Sequence, residues 1–247
     1  MIASCFSLGQ TELFEKRIFE NENFNLPYRL CIPENMDSCM QYPLVLYLHG
    51  AGERGNDNEI TLKHGVLNFV SEENRQSYPC FIVVPQCPPK FRWVEVDWDL
   101  PSHTIPHEIS VPLYQTMLLL DTLIEYFPID TNRIFVTGLS MGGFGTWDLI
   151  SRYPDFFAAA VPVCGGADTS FAQKLTHIPI WTFHGEQDKI VLPSRSIDMV
   201  NLINNKGGSA RLTLYPSTGH NAWVKAYENP KMMMWLFSQT RQKVFYE

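Results

Sequence analysis

The chain's most reactive-looking segment is Gly138-Leu139-Ser140-Met141-Gly142-Gly143. It follows the apolar, strand-like Ile134-Phe135-Val136 and precedes a helix-like stretch at 144–153. A Gly-x-Ser-x-Gly turn between a strand and a helix lifts the serine onto a sharp bend, with its hydroxyl exposed at a helix N-terminus. Small flanking residues let strand and helix approach. The helix end supplies N–H groups where negative charge would develop. A serine hydroxyl needs a base to take its proton, and the base needs an acid to orient it.

With this turn the expected order is serine, carboxylate, histidine. Three histidines follow Ser140: His177, His184 and His220. His220 sits in Ser217-Thr218-Gly219-His220-Asn221, directly after the last strand-like run, and is the expected base. His177 precedes Pro179 in a connector and reads as a surface residue. His184 ends a strand and reads as a contact behind the site, with the base role as an alternative. The acid is expected after the preceding strand, in His184-Gly185-Glu186-Gln187-Asp188. Asp188 is the first choice and Glu186 the alternative. Asp168 precedes the penultimate strand and Asp198 lies inside a helix, so both fit worse.

An oxyanion must also be held. One donor is expected at Met141, immediately after the nucleophile. The glycine-rich Leu48-His49-Gly50-Ala51-Gly52-Glu53-Arg54-Gly55 follows another buried strand and offers the second. Ala51 is the expected donor, with its neighbour Gly52 as the alternative donor and as a residue against the substrate. This run lacks the closing Gly-Lys-Ser/Thr of a phosphate loop. His103 and His107 are four apart, but Pro101 and Pro106 break any helix between them, and no third ligand is evident. Neither a metal nor a cofactor is expected. Trp93, Trp98 and Trp223 are candidate aromatic walls for substrate.

Positioning these groups requires alternating strands and helices. Apolar runs at 44–48, 81–84, 133–137, 158–163, 180–183 and 211–215 are mostly apolar on both faces, as buried parallel strands must be. Helix patterns lie between or after them at 111–127, 144–153, 194–206 and 230–240. This alternation specifies an α/β fold with a mostly parallel sheet flanked by helices. The first 40 residues read as antiparallel strands, with 16–19 and 28–32 as a hairpin. Two regions break the rhythm, 49–58 and the proline-rich 86–109, and loops that long are usually functional. The interval 166–178 is too short for a cap domain. One domain spanning 1–247 is the expectation.

The 247 residues carry a net charge of −7, which argues against a nucleic-acid partner. No apolar run approaches the ~20 residues of a membrane span. The six cysteines, Cys5, Cys31, Cys39, Cys80, Cys87 and Cys164, are scattered and form no C-x-x-C pair. They read as free thiols in a reducing compartment. No basic segment precedes an apolar run at the N-terminus, so a cytoplasmic location is expected, or a secreted or periplasmic one had a leader been removed.

Taken in order, the 49–55 loop, Pro85-Gln86-Cys87-Pro88, the 138–143 turn, His184-Gly185-Glu186-Gln187-Asp188 and Gly219-His220-Asn221-Ala222-Trp223 resemble the α/β-hydrolase family of phospholipase/carboxylesterases and "predicted peptidases". The chain is similar to polyhydroxybutyrate depolymerases and to feruloyl and acetyl-xylan esterases, from about Tyr42 to Gln239. The tail Tyr227-Glu228-Asn229-Pro230 and Trp235-Leu236 fits as well. The resemblance implies an α/β-hydrolase fold without a cap, with Ser140 as nucleophile, His220 as base and Asp188 as acid. The expected activity is hydrolysis of small or aromatic carboxylic esters, free or on carbohydrate. A peptidase, a thioesterase or a non-catalytic binding module of the same fold are the alternatives.

Overall fold

The computed structural model describes residues 8–21, 24–37 and 39–242. After a short helix α1 (Leu8–Thr11), strands β1 (Phe14–Asn21) and β2 (Phe24–Cys31) pair antiparallel, which is the expected hairpin, extended at both strands. Then follow β3 (Tyr42–Leu48), α2 (Glu72–Ser77), β4 (Phe81–Pro85), α3 (Val111–Tyr126) and β5 (Ile129–Leu139). The chain continues through α4 (Met141–Arg152), β6 (Ala159–Val163), β7 (Trp181–Gly185), α5 (Ser194–Asn205), β8 (Arg211–Tyr215), α6 (Trp223–Tyr227) and α7 (Pro230–Phe237).

The strands form one eight-stranded sheet in the order β1-β2-β4-β3-β5-β6-β7-β8. β2 pairs antiparallel with β4, and every pair from β4 to β8 is parallel. This is the α/β-hydrolase fold. Alternation along β3 splits the core in two. Leu44, Leu46 and Leu48 face α3, α4 and α5, whose Leu113, Met117, Phe144, Trp147, Met199 and Ile203 complete that layer. Val45 and Tyr47 face the other way, onto Tyr227, Met232, Met233 and Leu236 of α6 and α7.

Local chemistry sets the helix limits. Ser110 caps α3, its Oγ accepting from Leu113 N–H at 3.3 Å, and Phe127-Pro128 ends it. Asn229 caps α7 in the same way, accepting from Lys231 N–H at 3.0 Å, with Pro230 in the first turn. Gly207, at φ +92°, closes α5, and Gly208 N–H returns to the Ile203 carbonyl at 3.0 Å. Several boundaries differ from expectation. α4 begins at Met141 rather than 144, because Gly142 and Gly143 form its first turn, pressed against neighbouring strands. α7 ends at Phe237 rather than 240. β5 reaches back to Ile129. The short α2 and α6, and two 3₁₀ turns at Ile60–Leu62 and Val66–Val70, were not expected, being too short to show a 3.6-residue period.

The segment 86–109 is irregular, as expected, but it is fastened along its length. Trp93 Nε1–H donates to the His49 carbonyl at 3.0 Å. Ile105 N–H donates to Asp168 Oδ2 at 3.0 Å. The Arg152 guanidinium reaches the Pro106 and His107 carbonyls at 2.6 and 3.0 Å, and Arg195 contacts the Leu100 carbonyl and His103 Nδ1.

Of the cysteines, Cys31, Cys80, Cys87 and Cys164 are buried free thiols and Cys39 is an exposed one; Cys5 lies outside the described residues. No helix among the described residues is long and apolar enough to cross a membrane.

Candidate active site

Because β3, β5, β7 and β8 run parallel, their C-terminal ends share one edge of the sheet, and the loops leaving them converge there. β5 delivers Ser140. Its φ of +53° lies in the left-handed region, a strain that persists only where the surroundings enforce it. They do: Ser140 N–H donates to the Val163 carbonyl at 2.9 Å, and Phe144 N–H takes the Ser140 carbonyl at 3.0 Å. Gly142 is obligatory, since a Cβ there would stand 2.0 Å from the Leu48 carbonyl oxygen.

β8 delivers His220 and β7 delivers Asp188. His220 Nε2 lies 2.8 Å from Ser140 Oγ, and its Nδ1 lies 2.7 Å from Asp188 Oδ2. The Asp188 side chain is fully buried, whereas that of His220 is 20% exposed. The carboxylate is thus shielded while the imidazole meets solvent. Burial alone would raise the Asp188 pKa. Hydrogen bonds from His184, His220 and the Val191 N–H outweigh that and hold the carboxyl well below the usual carboxylate range. Asp188 therefore stays ionised opposite the imidazole. Glu186 is exposed, Asp168 caps a 3₁₀ turn by accepting from Ser170 N–H, and His177 contacts Pro154 and Asp155 away from this edge.

β3 delivers the 49–55 loop. Ala51 opens a 3₁₀ turn and Met141 opens α4, and the first N–H groups of such turns have no partner within them. His49 anchors the loop. It is 1% exposed, its Nδ1–H donates to the Gly50 carbonyl at 2.6 Å, and its Nε2 accepts from Cys87 N–H at 3.0 Å. One proton and one acceptor describe a neutral ring, and burial pushes its pKa down to about 4. Gln86 adds a second brace, donating to the Glu53 carbonyl at 3.2 Å and accepting from Asn58 N–H at 2.7 Å. Sequence reasoning quoted this segment without finding its role; the buried, strand-terminal His49 before a glycine run was the available signal.

The aromatic expectations need correction. Trp93 is 0% exposed and works from beneath, as the donor to the His49 carbonyl, so it cannot offer substrate a face. Trp98 packs on the core and holds the Arg92 guanidinium 4.5 Å over its ring, so that face is taken. Trp223 does stand at the site. Its half-buried ring meets His220 edge-on, 5.4 Å between centroids at 89°, and His64 lies 5.6 Å beyond it. Gly52 is exposed on the 49–55 loop, and a Cβ there would meet nothing within 4 Å. His103 accepts from Arg195, while His107 sits exposed beside Glu108.

A hydroxyl, an imidazole and an ionised carboxylate in series, beside free helix-opening N–H groups, can transfer a proton off Ser140 and hold a developing oxyanion.

The chain is similar to known proteins in sequence and in fold. Residues 116–232 match the Dienelactone hydrolase family. A solved structure described as a thermostable esterase superposes with a TM-score of 0.88 at 36% identity, covering 94% of this chain and 64% of its own. The carboxylesterase SOBER1 of Arabidopsis thaliana is 25% identical over 199 residues, covering 74% of this chain and 85% of that protein. Poly(3-hydroxyalkanoate) depolymerase C of Paucimonas lemoignei is 44% identical over 48 residues, covering 19% of this chain and 12% of its own length. The chain thus spans under two thirds of both the thermostable esterase and the depolymerase. A solved ferulic acid esterase, at 17% identity and a TM-score of 0.68, shares the fold. With this sheet order, this serine turn and these likenesses, the chain has the α/β-hydrolase fold and resembles esterases built on it.

Proposed function

We propose that the protein is a serine esterase that cleaves carboxylic esters through an acyl-enzyme, with Ser140, His220 and Asp188 as its triad. The supporting observation is the unbroken series from Ser140 Oγ through His220 to a buried carboxylate, at 2.8 and 2.7 Å. His220 Nε2 takes the Ser140 proton as Oγ bonds to the ester carbonyl carbon. The carbonyl electrons move onto oxygen, held by the Ala51 and Met141 N–H groups. As the tetrahedral centre collapses, the C–O bond to the alcohol breaks, and Nε2–H protonates the departing oxygen. Water repeats the sequence on the acyl-enzyme, releasing the acid and restoring Ser140.

The substrate class is a small or aromatic acyl ester, free or on carbohydrate. Trp223 beside the base and Gly52 on the open oxyanion loop border the reacting carbonyl. The relatives named carboxylesterase, feruloyl esterase and acetylxylan esterase favour the same class. The whole chain acts as one domain, needing neither metal nor cofactor.

A fluorophosphonate should label Ser140, and a panel of nitrophenyl esters of rising chain length, methyl ferulate and acetylated xylan should give turnover with at least one member. Absence of labelling at Ser140 together with absence of turnover would refute the reading.

A further inference from the structure

His184, the penultimate residue of β7, has a side chain 0% exposed and lies four residues before Asp188. Its Nε2 lies 3.2 Å from Asp188 Oδ2 and 2.9 Å from the Val191 carbonyl oxygen. Its Nδ1 lies 2.8 Å from Ser196 Oγ, in the first turn of α5. Both atoms facing Nε2 are acceptors that carry no proton. The ring proton therefore resides on Nε2, and Nδ1 accepts the hydroxyl proton of Ser196.

The consequence falls on Asp188. Its Oδ1 accepts from the Ile190 and Val191 N–H groups at 2.9 and 3.0 Å. Its Oδ2 is the oxygen that His220 uses, at 2.7 Å. His184 Nε2–H, hydrogen-bonded to the Val191 carbonyl at 2.9 Å, also stands 3.2 Å from Oδ2 and so sets a second positive edge against the atom that His220 contacts. With Oδ1 fixed by the backbone alone, the carboxylate could still swing about that anchor; two imidazoles on Oδ2 settle its plane.

We infer that His184, held by Ser196, is a positioning residue for the catalytic acid. It fixes the Asp188 carboxylate in the plane of the His220 ring and withdraws part of the negative charge that Oδ2 would otherwise direct at that ring. The inference rests on the triad reading above. Loss of the His184 donor concentrates charge on Oδ2, which favours the imidazolium form of His220 and moves the acid limb of the rate profile to higher pH. The other ionisable groups around this point are Cys164, buried beside Asp188, and the exposed Glu186 and Lys189 that flank it. Among the described residues, none of these three hydrogen-bonds to Oδ2.

The test compares the full-length wild type with His184→Ala, His184→Gln and Ser196→Ala. Active sites are counted by stoichiometric fluorophosphonate labelling, so a misfolded fraction does not enter. kcat, KM and the pH dependence of kcat/KM are measured on nitrophenyl acetate. His184→Ala should lose about 10- to 100-fold in kcat per labelled site, with little change in KM. Its acid limb should rise by about half a pH unit. His184→Gln, whose amide can still donate, should recover part of both. Ser196→Ala should fall between wild type and His184→Ala. Wild-type kcat and an unmoved acid limb in the His184 variants would overturn the inference. If neither folds, the same result in Ser196→Ala overturns it. A wild type that labels and turns over while the variants match it refutes the role of His184 alone; a wild type that does neither refutes the triad reading beneath it.

Discussion

Gly185→Ala should damage catalysis far more than folding. Gly185 is the last residue of β7, and its φ is not in the left-handed region, so alanine suits the local backbone. What it lacks is room. A Cβ there would stand 2.2 Å from the Gly219 carbonyl oxygen and 2.3 Å from that of Thr218, whereas real Cβ atoms almost never come within 3.0 Å. The contacted atoms are backbone, so no rotamer relieves the clash, and the loop must retreat by about 0.8 Å. Thr218 and Gly219 directly precede His220. The 2.7 Å and 2.8 Å contacts of its ring to Asp188 and Ser140 open together. A displacement near 1 Å costs about 100-fold in rate. Overpacking of this kind costs about 1–3 kcal/mol, which for a chain of this size lowers Tm by several degrees, about 2–4 °C per kcal/mol. The assay is kcat/KM on a nitrophenyl ester per fluorophosphonate-titrated site, beside a thermal melt. Wild-type kcat/KM per site would refute the reasoning, because it would mean that the base tolerates a shift of its loop.

Other expectations follow from the same geometry. Ser140→Ala and His220→Ala should each lower kcat by about 10⁶, and the double variant should be no worse than either, because the pair acts as a unit; additive losses would contradict a shared proton transfer. Asp188→Asn should cost about 10⁴ in kcat through the wrong imidazole tautomer, whereas the exposed Glu186→Gln should be near neutral; steady-state kinetics of both variants decides between them. Stability should weaken in acid through His49. Its pKa falls from 6.5 to about 4 on burial, so below pH 6.5 the unfolded chain binds a proton that the folded chain refuses. The contribution is complete above pH 6.5 and is lost as the pH falls towards 4. Chemical denaturation across that window should show this slope, and His49→Gln should flatten it. Trp93→Phe should leave the ring's packing but strand the His49 carbonyl, costing about 1–3 kcal/mol by denaturant melts.

Much of this arrangement was legible before any coordinates. Ser140, Asp188 and His220 announce themselves because each lies on a short loop directly after a strand, and parallel strands must end together. The helices at 111–127 and 194–206 were bounded to within a residue because Pro128 and Gly207 punctuate them. Legibility failed where a residue's role depends on what packs beneath it. Trp93 and Trp98 share a loop and a residue type, so composition could not reveal that one braces His49 and the other stacks on Arg92. Nor could sequence show that His184 reaches past Gly185 to within 3.2 Å of Asp188. That contact depends on the turn at 186–188 folding back on the strand end, a tertiary fact with no periodic signature.

The fastenings along 86–109 bear on how substrate arrives. A flap that closes over its ligand must be held weakly enough to open, and each opening takes microseconds or longer. Here the loop is tied at Trp93, Leu100, His103, Ile105, Pro106 and His107 to four separate parts of the molecule. It is a standing wall, already ordered before anything binds. A ligand entering beside it forfeits none of its binding energy to freezing a mobile chain. A loop so fastened adds no gate of its own to the proposed reaction.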